Sequence, residues 1–154
     1  HRVDRRQRQM CIRDRSYGAS IGLSTKVFGG FDLGGSYTYS KLDFDKDKYP
    51  SFVTNFNTPE HKFKASFGND NLFDNFGFNV SYRFSDDYFW EATFGDGIVP
   101  EYHVLDAQIN LVVPSLKSTF KAGGTNLTGK EYTTAYGTGF IGSMYYISWT
   151  INNL

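Results

Sequence analysis

From residue 76 to residue 84, apolar Phe76, Phe78, Val80, Tyr82 and Phe84 alternate with Gly77, Asn79, Ser81 and Arg83. Side chains of a strand point alternately to its two faces, so this stretch predicts a strand with one apolar and one polar surface. The same period of two recurs six more times. Ala19–Val27 sets Ala19, Ile21, Leu23 and Val27 against Ser20, Gly22, Ser24 and Lys26, and Phe31–Ser40 sets Phe31, Leu33, Tyr37 and Tyr39 against Asp32, Ser36, Thr38 and Ser40. His61–Gly68 sets Phe63, Ala65 and Phe67 against Lys62, Lys64 and Ser66. The 76–84 strand is fourth and is expected to run on toward Tyr88. His103–Val113 sets Leu105, Ala107, Ile109, Leu111 and Val113 against Asp106, Gln108 and Asn110. Leu116–Thr125 is weaker, with Leu116, Phe120 and Ala122 against Lys117, Thr119 and Lys121. Tyr145–Asn152 closes the series with Tyr145, Ile147, Trp149 and Ile151 on one side.

The connections sort themselves by length. "FGG", "NDNLFDN" and "PSL" are short, while the segments 41–60, 85–102 and 126–143 are long, and the two kinds alternate along the chain. In an up-and-down sheet every long loop then falls at one end and every tight turn at the other, as in outer-membrane barrels. The expected fold is all-β, an antiparallel up-and-down meander of about seven strands forming part of a transmembrane β-barrel. Segment lengths fit, because a tilted membrane strand needs about 9–11 residues. Tyr37, Tyr39, Tyr82, Phe84, Tyr145 and Trp149 fall near strand ends, where an interfacial aromatic girdle belongs.

Composition changes this picture in one place. The chain of 154 residues is formally neutral, with sixteen basic and sixteen acidic residues. Residues 1–15, "HRVDRRQRQMCIRDR", hold six of the basic and two of the acidic ones, leaving ten against fourteen, a net of −4, beyond them. This opening lacks apolar periodicity and the apolar region of a signal peptide. It resembles translated adaptor sequence and is read as a non-native, disordered arm; the other reading is a basic arm for nucleic acid or anionic lipid. Residues 16–154 are then the folded part. Cys11, the one cysteine, lies in the arm, so no disulfide framework or thiol chemistry is expected beyond it. No apolar run approaches the ~20 residues of a membrane-spanning helix, which leaves barrels untouched.

Four stretches carry a family resemblance: "NTPEHKF" (57–63), "VPEYHVLDAQI" (99–109), "VPSLKSTFKAGGTNLTGKEY" (113–132) and "YYISWTI" (145–151). In order and spacing, they resemble the carboxyl-terminal end of a TonB-dependent outer-membrane receptor. The matching signatures are Asn-x-Pro-x-His entering a strand, Pro-x-Tyr-x-x-x-Asp entering a later one, and Asn-Leu-x-x-x-x-Tyr near the end. Residues 16–56 match in pattern more than in motif.

That resemblance implies a transporter with a barrel of 22 strands, an amino-terminal plug and a TonB-engaging box, located in the bacterial outer membrane. It imports a scarce nutrient of the siderophore, cobalamin, haem or oligosaccharide class with TonB-supplied energy. The present segments would be its last seven strands, with the loops at 41–60, 85–102 and 126–143 outside the cell. Partners implied are outer-membrane lipid, the plug, TonB, the barrel-assembly machinery and a small-molecule or oligosaccharide ligand, with no nucleic acid. Gly142, Tyr145, Ile147, Trp149 and Ile151 fit the closing strand that the assembly machinery reads, although the chain ends in Leu154 where the family usually has Phe. With neither plug nor TonB box in it, the chain is expected to be a fragment. The rival readings are a plugless diffusion porin and a soluble, carbohydrate-binding β-sandwich.

Candidate chemistry is sparse. His61 and His103 each open a strand and suit a turn or interfacial role, and no His/Cys cluster has metal-ligand spacing. Asp86, Asp87, Glu91 and Asp96 share a loop, but no nucleophile or base accompanies them, so no enzyme, metal or cofactor is expected. Ligand contact is expected from aromatic residues of the long loops: Tyr88, Phe89, Trp90, Phe94, Tyr132 and Tyr136, with Phe140 beside them. The alternative for these rings is loop packing or the girdle. Asp32, Lys62, Lys64, Arg83, Asp106, Asn110 and Lys121 are expected to face the lumen, where the resemblance places a plug for them to bond.

Overall fold

A computed structural model describes residues 15–45, 47–48 and 53–151. The nine strands are β1 (Arg15–Val27), β2 (Phe31–Asp43), β3 (His61–Phe73), β4 (Phe76–Ser85), β5 (Tyr88–Ala92), β6 (Gly95–Val99), β7 (Tyr102–Val113), β8 (Ser118–Thr125) and β9 (Met144–Ile151). Seven of them form a single antiparallel sheet in the order β1-β2-β3-β4-β7-β8-β9. β5 and β6 make a separate hairpin between β4 and β7. Residues 1–14 of the opening arm and Asn152–Leu154 lie outside the described residues; Arg15 opens β1 opposite Asp43.

Register settles which residues share a face. Ile21 stands opposite Tyr37, Tyr37 opposite Phe63, Phe63 opposite Phe84, and Phe84 opposite His103. Lower on the same face, Phe78, Ile109, Ala122 and Ile147 follow one another across four strands. The apolar rows of all seven strands therefore join into one continuous surface. Asp32, Lys62, Lys64, Arg83, Asp106, Asn110 and Lys121 all lie on the opposite face.

Among the described residues no second layer covers the apolar surface. Ile21 is 72% exposed and Ile147 85% exposed. Among the described residues the buried apolar side chains are Val99 and Val104, with Pro59 of the loop before β3. The small core thus sits beneath the loops at one end of the sheet, not between two sheets. A soluble sandwich, in which apolar faces bury one another, is not the architecture. Along β4 the stripe from Phe76 to Phe84 covers eight steps of ~3.3 Å, or about 26 Å. At a tilt of ~40° that is about 20 Å of depth before ring lengths are added, comparable with the ~25 Å apolar band of an outer-membrane barrel.

The short connections all lie at the end away from this core. Phe28–Gly30 turns in a single 3-10 turn, with Gly29 at φ 80° and Gly30 at φ 76°, a region that suits glycine. Pro114–Leu116 forms the turn before β8. β1 begins at Arg15 and β2 runs to Asp43, each beyond its alternating segment, and three other boundaries differ from the pattern reading as follows. β4 stops at Ser85: Asp86 still donates its N–H to the His61 carbonyl, and Tyr88 then starts a new hairpin. β8 starts at Ser118, since Lys117 adopts left-handed φ 46° to leave the turn. "NDNLFDN" is mostly strand: β3 continues through a bulge between Asn69 and Phe73, and only Asp74 and Asn75 turn. Asn69 drives the bulge, its Nδ2 donating to the Gly29 carbonyl and its Oδ1 accepting from Asn71 N–H.

Candidate functional site

At the long-loop end, three loops close on one another, and the quoted motif residues are what join them. Tyr102 and Tyr132 pack with ring centroids 4.7 Å apart and planes tilted by 30°. Asn126 donates its N–H to Asp106 Oδ1 at 2.9 Å, and Arg83 Nη2 donates to Asp106 Oδ2 at 2.9 Å. The Pro-x-Tyr-x-x-x-Asp and Asn-Leu-x-x-x-x-Tyr segments therefore meet residue for residue. Asn126 takes φ 52° and is 1% exposed. Its side chain accepts from Thr128 Oγ1 and donates to the Lys130 carbonyl, while its own carbonyl accepts from Ser143 Oγ. One buried residue thus holds both ends of the loop 126–143, the near end by its side-chain amide and the far end by its carbonyl, and asparagine tolerates the left-handed backbone this requires.

The hairpin β5–β6 is held from both sides. On one side Asn57, of the Asn-x-Pro-x-His segment, acts as a short strand: Glu91 N–H donates to its Oδ1 at 2.7 Å and its Nδ2 donates to the Glu91 carbonyl at 2.9 Å. The Glu91 carboxylate, 8% exposed, accepts from Thr54 N–H at 2.8 Å and from Thr54 Oγ1 at 2.6 Å. Pro59 of the same segment is buried. On the other side Tyr88 donates its hydroxyl to the Thr134 carbonyl at 2.6 Å. The Tyr136 ring lies flat over Gly97, where a Cβ would come within 2.1 Å of it. A cleft of about 390 Å³ opens between the end of β2, the 54–60 segment and β5, with Phe44, Phe56 and Phe89 among its walls.

The predicted aromatic site is consequently divided. Tyr88, Trp90, Tyr132 and Tyr136 are engaged in loop packing, with the Tyr88 and Trp90 rings 6.4 Å apart. Phe94 is 73% exposed and Phe140 72%, and Phe89 is also exposed. Burial pushes the Tyr88 phenol above its ordinary range, and Tyr102 adds to the shift by charge repulsion. The Glu91 carboxylate accepts from Thr54, and the Asp86 carboxylate accepts from Asp87 N–H.

His61 and His103 sit on the apolar face at its loop end, in two copies of one arrangement. Tyr37 hydroxyl meets His61 Nδ1 at 2.7 Å, and Tyr82 hydroxyl meets His103 Nδ1 at 2.6 Å. Tyr145 is the second residue of β9, at the same end. Trp149 lies toward the short-turn end, stacked on Phe120 with ring centroids 6.1 Å apart. Aromatic rings thus flank the apolar surface above and below. Gly142 precedes β9 outside any strand, whereas Tyr145, Ile147, Trp149 and Ile151 share its apolar row.

The β5–β6 hairpin and the roles of Asn57, Glu91 and Asn126 are absent from the pattern reading. A two-residue connection, Thr93-Phe94, between "YFWEA" and "GDGIV" is the signal that marks the hairpin.

Comparison with known proteins decides the family. The family described as "TonB dependent receptor-like, beta-barrel" matches residues 12–127. The chain belongs to the TonB-dependent receptors. A chain of the FpvAI–pyocin S2 complex is similar in structure, with a TM-score of 0.71 and 14% identity over 90% of this chain and 20% of that one. The ferric-catecholate import receptor Fiu from E. coli K12, in an open form, superposes with a TM-score of 0.66 and 18% identity, over 88% of this chain and 20% of its own. This receptor segment therefore spans about a fifth of either solved chain. No curated protein sequence matches it.

Proposed function

We propose that the receptor containing this segment is an outer-membrane active transporter. It binds a scarce nutrient of the siderophore, cobalamin, haem or oligosaccharide class at the cell surface and imports it with energy supplied through TonB. The observation that carries this reading is the single uncovered apolar face, flanked by aromatic rings, with every long loop gathered at one end. Such a surface is stable only against hydrocarbon, and the loop end then faces outward. The seven polar-face residues from Asp32 to Lys121 line the interior, against the plug. The exposed rings of Phe94 and Phe140, with Phe89 beside them, face the ligand, while Tyr88, Trp90, Tyr132 and Tyr136 shape the platform beneath them. The similarity to a ferric-catecholate import receptor supports the siderophore class first, since flat rings stack on catechols.

The deciding experiment is uptake by cells that carry the complete receptor, with TonB present or deleted. Accumulation of a ferric-catecholate that disappears without TonB is expected. Equal flux of small solutes in both strains would instead make the protein a diffusion porin.

A further inference from the structure

The polar face of β3 and β4 carries a charge arrangement that the sheet alone leaves unbalanced. Lys64 and Arg83 are direct cross-strand partners on one face. Like charges in that position repel and weaken a sheet. Arg83 is tied on its far side to Asp106, at 2.9 Å through Nη2. Lys64 has no carboxylate partner among the described residues. Lys62 stands two positions along on the same face, so the excess is positive.

Beside this pair the same face is hollowed. A cleft of about 390 Å³ is bounded by Lys64, Arg83 and the hydroxyl-bearing Ser24, Ser36, Ser66 and Ser81. Its floor includes Gly34, where a Cβ would lie 2.5 Å from Ser66 Oγ. Any side chain at this position would occupy the hollow.

We infer that this hollow binds a carboxylate. A guanidinium fork offers two parallel N–H donors to the two oxygens of one carboxylate, and an ammonium beside it adds a point charge. The serine hydroxyls supply further donors, and the glycine floor admits the anion to their depth. The carboxylate comes either from an Asp or Glu of a polypeptide segment that fills the interior or from a free polycarboxylate. The inference rests on the reading of the polar face as the aqueous interior.

Carbodiimide coupling of the complete receptor in detergent tests it. The reagent activates a carboxylate as an O-acylurea, a neighbouring amine displaces the urea, and an amide remains. One sample has no added anion and a second contains citrate. Lys64 joined to an Asp or Glu outside residues 16–151 in the first sample identifies a polypeptide source. Lys64 carrying a citrate amide in the second sample only identifies a free anion. Lys64 recovered unmodified in both samples, or joined only to Asp106, overturns the site. Gly34→Val, which fills the hollow and leaves every charge in place, is expected to lower the Lys64 coupling yield at least tenfold; the wild-type readout stands without it. Spin labels at Ile147→Cys and Ser148→Cys, probed with a lipid-dissolved relaxation agent, report on the faces separately. Label 147 alone in lipid, with Lys64 uncoupled, removes only the carboxylate site. Label 148 in lipid removes the reading of the faces itself.

Discussion

The tilted rings of Tyr102 and Tyr132 pack with centroids 4.7 Å apart, and that contact closes the loop end of the sheet beside the Asp106–Asn126 bond. Both joints lock one loop to β7. Asn126 contributes in two separable ways, through its left-handed backbone and its buried amide. Asn126→Ala should lose both, at about 1–2 kcal/mol for the backbone and about 1–3 kcal/mol for the unpaired partners. Asn126→Gly should restore the backbone and lose only the amide. Equilibrium unfolding of the receptor in lipid vesicles distinguishes them; equal losses would show that the φ of 52° contributes nothing.

Glu91 binds the 53–60 segment by its carboxylate and, independently, by its main chain. Glu91→Ala strands the Thr54 N–H and hydroxyl, a loss of about 1–3 kcal/mol. The two bonds to Asn57 touch only backbone atoms and should survive. Amide hydrogen exchange is expected to rise tenfold or more at Thr54 with a far smaller rise at Glu91. A uniform rise across both would mean that the carboxylate holds the hairpin as well as the loop.

The two faces should respond oppositely to the same charge. Ile109 lies on the exposed apolar face and Asn110 on the polar one. Ile109→Arg should cost about 2–4 kcal/mol in a bilayer if it lies near mid-depth, whereas Asn110→Arg should cost little. Vesicle unfolding measurements check the pair. A larger loss from the Asn110 variant would invert the assignment of the faces.

Tyr88 gives the loop end a pH limit. Its phenol is raised in the folded state, chiefly by burial, so the neutral form is the one the fold prefers. The contribution is complete below the ordinary tyrosine range of about 10. It is lost as pH climbs past that range and through the raised folded value. Trp90 emission, isolated in a Trp149→Phe background, is expected to change over this alkaline interval as the hairpin leaves Thr134. In Tyr88→Phe the alkaline step should shrink; an unchanged step would assign it to another tyrosine.

The sheet was legible in the chain because its signal is local: alternation from Phe76 to Phe84 needs no knowledge of a partner strand. Loop polarity was legible for the same reason, since connection lengths are read directly. Some boundaries shifted where a side chain or a left-handed residue overrides periodicity, at Asn69 and Lys117, and one where a new hairpin begins at Tyr88. The β5–β6 hairpin escaped notice because Gly95 and Gly97 interrupt the apolar alternation on its second strand. The joints of the loop end leave still less trace. Asn57 meets Glu91 by mimicking a backbone, which has no period, and Tyr136 finds Gly97 only because that position lacks a side chain. The motif residues could be picked out, but not the fact that they pair with one another.

Every ladder of the seven-stranded sheet joins strands that are neighbours in the chain, apart from the step over one hairpin between β4 and β7. The entropy of closing such short stretches is small, so no pairing has to await a distant partner. Assembly can advance one hairpin at a time, each finished strand serving as the template for the next. The β5–β6 hairpin is then an excursion that folds on its own while β7 finds β4.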